Sequence, residues 1–239
     1  MASRLDSSMP KDFDILYSVL TGKKSKVGPN YSLNLDLSCE KDMKFIQKLK
    51  GPIPDVKNLQ MESLPQDCEE VVNRFMADNF PSRVGNFDFN LNSKLVRIDP
   101  YLDEILAVKA RIQVKLSLYK LKLSKQQLCK VLEECKHLKT IGFNYCNLKI
   151  PSVPYFEDDL SESKIQYLGF DYSGDGDYSD WDQNPDEFCN LIKGLSYCED
   201  FTANLSGIYL KNCGLSKIKI DEVFSRNGLT KVQILNYSK

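Results

Sequence analysis

The sequence is poor in the residues that most often carry out chemistry. One histidine, His137, stands among 239 residues, so any Ser–His–Asp or Cys–His centre would have to be built on it. It falls in "EECKHLKTIGF", after a helical pattern and before a strand, where a helix C-terminal or surface position accounts for it. Neither sign of charge dominates. The 32 basic and 33 acidic residues leave a net charge of −1, so no global field draws the chain to nucleic acid or an anionic membrane. No run of about 18 apolar residues occurs, and no membrane-spanning helix is expected. The opening "MASRLDSSMPKDFDILYSVL" lacks the basic start and apolar core of a secretory signal. Eight cysteines are present without a Cys-x-x-Cys pair, which argues against a zinc site. Reduced, buried thiols and a cytoplasmic setting are the expectation.

What the sequence has in quantity is itself. "LKTIGFNYCNL" runs from Leu138 to Leu148 and "LSGIYLKNCGL" from Leu205 to Leu215. Both read L-x-x-I-x-φ-x-x-C-x-L, with φ apolar and cysteine ninth. The same frame starts at Val56 (Leu59, Met61, Leu64), Val84 (Phe87, Phe89, Asn92), Gln113 (Leu116, Leu118, Leu121), Ile165 (Leu168, Phe170, Ser173) and Leu229 (Val232, Ile234, Tyr237). A first copy, "NYSLNLDLS", starts near Asn30 with its register open by two residues. Successive starts lie 26, 28, 29, 25, 27, 40 and 24 residues apart, and a period of 20 to 50 residues points to a repeat architecture.

Between the frames, apolar residues recur at three- and four-residue spacing, as amphipathic helices require. Phe45 and Ile46 follow the first frame, Val72, Phe75 and Met76 the second. Leu128, Val131 and Leu132 form another set, as do Phe188, Leu191, Ile192 and Leu195, then Ile220, Val223 and Phe224 before Gly228. A strand of a few residues followed by one helix cannot bury its own core, whereas stacked copies can.

These residues carry a resemblance. The chain is similar to leucine-rich-repeat proteins of the ribonuclease-inhibitor type, the subclass with cysteine ninth and a helix in each repeat. The likeness covers about residues 30–239. It implies an α/β horseshoe solenoid of about eight strand–helix repeats, with a parallel concave sheet and outer helices. Residues 1–29 then form an N-terminal segment in which residues 12–24 make a capping helix. Cys146 and Cys213 are implied to be structural, pointing inward where the chain leaves the strand.

Such a scaffold has no chemistry of its own, and a non-catalytic scaffold or assembly subunit holding a protein partner is the expectation. The concave surface implied by the resemblance is polar and carries Tyr119, Tyr145, Tyr172 and Tyr209, with Asp171 and Lys211 beside them. Tyrosines side by side suit a protein partner, giving large contact area at small entropy cost. Few basic residues interleave with them, which argues against nucleic acid. A GTPase-activating regulator is the alternative, since some proteins of this repeat class act through an arginine on a loop after a strand. Arg97, in "NLNSKLVRIDP", is the arginine so placed.

The 40-residue interval holds "GFDYSGDGDYSDWDQNPDEF", residues 169–188, with six aspartates and the single tryptophan. Residues 174–186 are the expected insertion, on the rim beside the concave face. From Asp171 the stretch offers oxygens at EF-hand spacing, with Asp175, Asp177 and Asp182 among them and Gly176 at the sixth place. A strand precedes it rather than a helix, so it is no EF-hand. A calcium-responsive adaptor is the third reading; no other cofactor is indicated. Trp181, with no repeat core to enter, is expected to fold back on the rim or anchor a basic partner. Titration calorimetry with Ca²⁺ checks the metal reading: saturable heat supports it, and silence at millimolar calcium removes it.

Overall fold

The structure, a computed structural model, describes residues 4–6, 32–62, 69–90, 96–156, 160–171, 181 and 184–238. It is α/β, and its strands pair in parallel. The chain divides into two compact units, Met1–Lys94 with Asp99–Leu116, and Leu95–Ile98 with Ser117–Lys239.

The first unit runs β1 (Arg4–Asp6), β2 (Ser32–Asp36), α1 (Glu40–Lys48), β3 (Val56–Glu62), α2 (Glu69–Arg74) and β4 (Val84–Asn90). After β5 (Val96–Arg97), which belongs to the second unit, α3 (Asp99–Ala107) and the start of β6 (Ile112–Tyr119) complete it. β1 to β4 lie side by side in sequence order. Along β2 the burial alternates, with Leu33 and Leu35 inside. Leu33 pairs with Leu59 and Leu59 with Phe87; Leu35 pairs with Met61 and Met61 with Phe89. The frame's fourth and sixth residues therefore coincide from copy to copy, and the first frame's open register closes at Asn30. β1 is an addition to the sequence reading. Leu5 pairs with Leu33, so a further strand lies 28 residues before the expected first copy. The expected capping helix at 12–24 lies outside the described residues.

The core of this unit is aromatic. Phe75, Phe80, Phe87, Phe89 and Tyr101 form a continuous chain with ring centroids 5.2 to 6.3 Å apart. Phe75 lies in a π-helical turn, Phe75–Asn79, that prolongs α2. That turn also buries Asn79, whose amide donates to the Gly51 carbonyl at 3.0 Å. A buried carboxylate ties α1 to β2: Asp42 is fully buried and accepts from the Asp36 N–H at 2.8 Å.

The second unit continues from β5 and the end of β6 through β7 (Leu121–Ser124), α4 (Lys125–Glu134), β8 (Thr140–Asn144), β9 (Asn147–Lys149) and β10 (Tyr167–Asp171). It ends with α5 (Pro185–Ser196), α6 (Glu199–Asn204), β11 (Gly207–Lys211), α7 (Lys217–Arg226) and β12 (Gln233–Ser238). β8, β10, β11 and β12 pair in that order, and β5, β7 and β9 make a small parallel sheet. Ser124 caps α4 through a reciprocal pair with Gln127, the arrangement that satisfies two orphan donors at once. Gly228 ends α7 at φ +72°, where side chains are strained.

Here too the frame is realised in the pairing. Ile141, Leu168 and Ile208 coincide, as do Phe143, Phe170 and Leu210. The eighth residues Lys120, Tyr145 and Asn212 all take left-handed backbone, φ 55°, 55° and 53°. This is where the chain turns off each strand. The first two also repeat one hydrogen bond, from Lys120 N to Asn144 O and from Tyr145 N to Asp171 O.

The last copy keeps its start at Leu229: Leu229 and Val232 are buried, and Asn236, the eighth residue, takes left-handed backbone at φ 49°. Its pairing is offset by two residues, with Ile208 opposite Ile234 and a register shift between Tyr209 and Lys211. Two expectations are corrected. The copy at Leu138 shows no helix among its described residues. Pro151 and Pro154 explain it, since each lacks the N–H that a helix needs; α5 closes against this extended segment instead. Asn190 donates to Ile150 O at 3.0 Å, and a Cβ on Gly194 would stand 2.7 Å from Pro154 Cδ. Finally, the acidic insertion does not account for the whole 40-residue interval, because α6 supplies part of it.

Replacing Asp42 with alanine should lower the unfolding free energy by about 1–3 kcal/mol, because the Asp36 N–H loses its acceptor. Urea unfolding would show a lower midpoint at unchanged slope. An unchanged midpoint would remove the structural role of this carboxylate.

Candidate functional site

β2, β3, β4, β6, β8, β10 and β11 bury their fourth and sixth frame residues and turn the third, fifth and seventh the other way. In the first unit this second face is a hydrogen-bonded amide ladder. Asn58 Nδ2 donates to Ser32 Oγ and Asn86 Nδ2 to Asn58 Oδ1, both at 2.7 Å. Asn34 and Gln60 each donate to the Glu62 carboxylate, at 2.8 and 2.9 Å. Lys115 stands 3.6 Å from Asp88, an ion pair too long for a hydrogen bond. These bonds run across neighbouring strands and make the face polar, while Asn34 Oδ1, Asp88 Oδ1 and Asn90 Oδ1 are buried on it without a hydrogen-bond donor.

In the second unit the same face is aromatic. Tyr119 and Tyr145 stack with centroids 6.4 Å apart and planes 28° apart. Tyr209 meets Tyr167 at 5.9 Å, and Lys139 Nζ lies 5.9 Å from the centre of the Tyr167 ring. Asp171 and Lys211 pair at 3.2 Å, register partners on β10 and β11. Between the tyrosines, Gly142 and Gly169 occupy the fifth place on adjacent strands and pair with each other.

The structure thus brings together Tyr119 with Tyr145, and Asp171 with Lys211, and sets Tyr209 on the same face. Tyr172, Asp175, Asp177 and Asp182 lie outside the described residues. Tyr167 was missed by sequence reasoning, although its third place in the frame was a sufficient signal. Among the described residues no group of three or more histidine, cysteine or acidic side chains is gathered as for a metal.

Trp181 is a correction. It is 0% exposed, with its ring 5.4 Å from Phe170 and 5.0 Å from Phe188. It does have a core to enter, the space between β10 and α5 of its own copy, and offers no surface to a partner there. Burial of so large a ring outweighs its acidic surroundings in sequence. The backbone of Arg97, in the segment after β4, lies in the two-residue strand β5 and pairs with Lys122 of β7.

The ninth-place thiols have matching surroundings. Cys146 Sγ lies 3.4 Å from Leu118 O and 3.5 Å from Asn144 O. Cys213 Sγ lies 3.5 Å from Phe170 O and 3.6 Å from Lys211 O. In each case these are the sixth residue of the preceding copy and the seventh of its own. Burial pushes the Cys146 thiol from the ordinary value near 9 up to about 12, and pushes Cys213 up in the same direction. Both are held neutral, without nucleophilic character.

A raised folded-state pKa contributes stability that is complete below the unfolded value and lost as pH climbs through the folded one. Thermal stability should therefore fall as pH rises from about 9 toward 12. Cys146→Ala should flatten that part of the profile, and an identical slope in the variant would exclude Cys146 as its source. No family model matches this chain, and no curated protein matches it.

Proposed function

We propose that the chain is a leucine-rich-repeat solenoid of the ribonuclease-inhibitor type that serves as a non-catalytic interaction scaffold. Its protein partner binds on the tyrosine-bearing sheet face of the second unit. The observation that carries this reading is the paired arrangement of Tyr119 with Tyr145 and Tyr167 with Tyr209 around two facing glycines. Rings held by neighbours lose little freedom on binding and give large contact areas, the qualities of interface hot spots. The repeat reading is supported by the coincidence of fourth and sixth residues across strands and by the matched thiols.

The partner is a protein rather than a nucleic acid, because the face carries amides and tyrosines with few basic groups. A cytoplasmic setting is favoured by the free thiols Cys39, Cys129, Cys135, Cys146, Cys189, Cys198 and Cys213, since disulfides mark oxidising compartments. Among the described residues, no helix is long and apolar enough to cross a membrane. The GTPase-regulator alternative draws no support from the backbone position of Arg97.

The test is paired affinity capture with quantitative mass spectrometry. Tyr145→Ala combined with Tyr209→Ala should keep the far-ultraviolet circular dichroism of the parent. It should reduce recovery of the specific partner by at least about tenfold, the loss expected from two hot-spot tyrosines. Recovery equal to the parent's would place the binding surface elsewhere.

A further inference from the structure

We infer that the open space above Gly169 is a seat for one neutral aromatic side chain with a hydroxyl tip, a tyrosine of the protein partner. This rests on the partner-binding reading above and narrows it to a single subsite.

The floor is backbone. Strand neighbours stand about 4.8 Å apart, and at the fifth place β8 and β10 both carry glycine, paired Cα to Cα. A Cβ on Gly169 would meet nothing nearer than Gly142 Cα at 3.5 Å and Ile141 O at 3.9 Å. Both distances are ordinary van der Waals contacts, so a Cβ is admitted there without displacing backbone. Above Gly142 the room is shared by Asn144 Nδ2 and Ser117 Oγ, 3.3 and 3.4 Å from where its Cβ would be. Glycine weakens a strand interior, and two side by side bring no packing gain to the sheet itself.

The walls define the occupant. On one side stands Tyr209, the register partner of Gly169, with Tyr167 against it. Aromatic rings prefer offset or edge contact with further rings. On the other side is Ser117, 0% exposed, its hydroxyl directed at the glycine floor and without a hydrogen-bond partner. A buried hydroxyl left unpaired is unfavourable, and an incoming polar tip relieves it. Asp171 and Lys211 offset each other at 3.2 Å, so a neutral group complements the site. A carboxylate would face Asp171, and an ammonium or guanidinium would face Lys211 and Lys139. An aliphatic group would leave Ser117 unpaired. The Asn144 amide, which shares the space above Gly142 with Ser117 Oγ, must turn aside for the tip to reach Ser117.

The test uses the full chain, labelled with ¹⁵N, and N-acetyl-L-tyrosinamide as the probe. The amide signals of Gly142 and Gly169 should shift saturably, with N-acetyl-L-leucinamide about tenfold weaker. Gly169→Val fills the seat with a β-favouring side chain. It should melt no lower than the parent and lose the response. Shifts that do not saturate, that are equal for both amides, or that persist in folded Gly169→Val overturn the seat. If Gly169→Val does not fold, the comparison of the two amides on the parent and on Gly169→Ala decides. Partner capture separates the two proposals. If the double tyrosine variant loses the partner while Gly169→Val keeps it, the seat falls and the sheet-face reading stands. If both variants keep it, the sheet-face reading falls too.

Discussion

Strand register is the constraint on which everything else here depends. In a parallel pair, a slip of one residue would turn every buried fourth and sixth residue to the opposite face. The side chains that pair, Leu33 with Leu59 and Phe87, or Phe143 with Phe170 and Leu210, are what make such a slip expensive. Once they are fixed, the third, fifth and seventh residues have no freedom of side. The amide ladder of the first unit and the tyrosine pairs of the second follow from the same apolar choice. The binding character of each face is thus the remainder after the core has been satisfied.

The two units solve the same problem with different material. In the first, a chain of five aromatic rings joins β4, α3 and the π-turn region. In the second, Phe143, Phe170, Trp181, Phe188 and Phe224 make a comparable series, with centroids 5.0 to 6.3 Å apart. Their outer faces diverge. Glu62 and asparagines of the first unit bond to one another, although Asn34 Oδ1 and Asn90 Oδ1 keep unused acceptor capacity. The rings of the second unit lie in pairs and carry hydroxyl tips. A scaffold of this kind can carry an amide face and an aromatic face on one backbone plan.

Much of the fold was legible because its signal was repeated. One copy of the frame would be an ordinary strand, but Leu138–Leu148 and Leu205–Leu215 together fix which residues are equivalent. The left-handed eighth residues were not foreseeable from propensity, since Lys120 and Tyr145 rarely adopt that backbone; tertiary context imposed it. The want of a helix among the described residues after β9 was written in Pro151 and Pro154 but was hidden by the expectation of regularity. The start of the last copy at Leu229 was legible from Val232, which is buried, but the two-residue offset in its pairing with β11 was not, because it lies in the backbone irregularity between Tyr209 and Lys211. On the candidate face, Tyr119, Tyr145 and Tyr209 were readable from place alone. The glycine floor was not, because its meaning lies in two residues 27 positions apart coming side by side. Trp181 misled because local composition, rich in aspartate, says nothing of what a ring touches across the fold.

The seat of Trp181 has a practical side. It is the single indole of the chain, and it is enclosed by Phe170 and Phe188 between β10 and α5. Its fluorescence is therefore a private channel on one junction, undiluted by other indoles. Emission at short wavelength would report a closed junction, and a red shift its opening to water. A change there on adding a ligand or cation would register at the root of the acidic stretch without any label being attached.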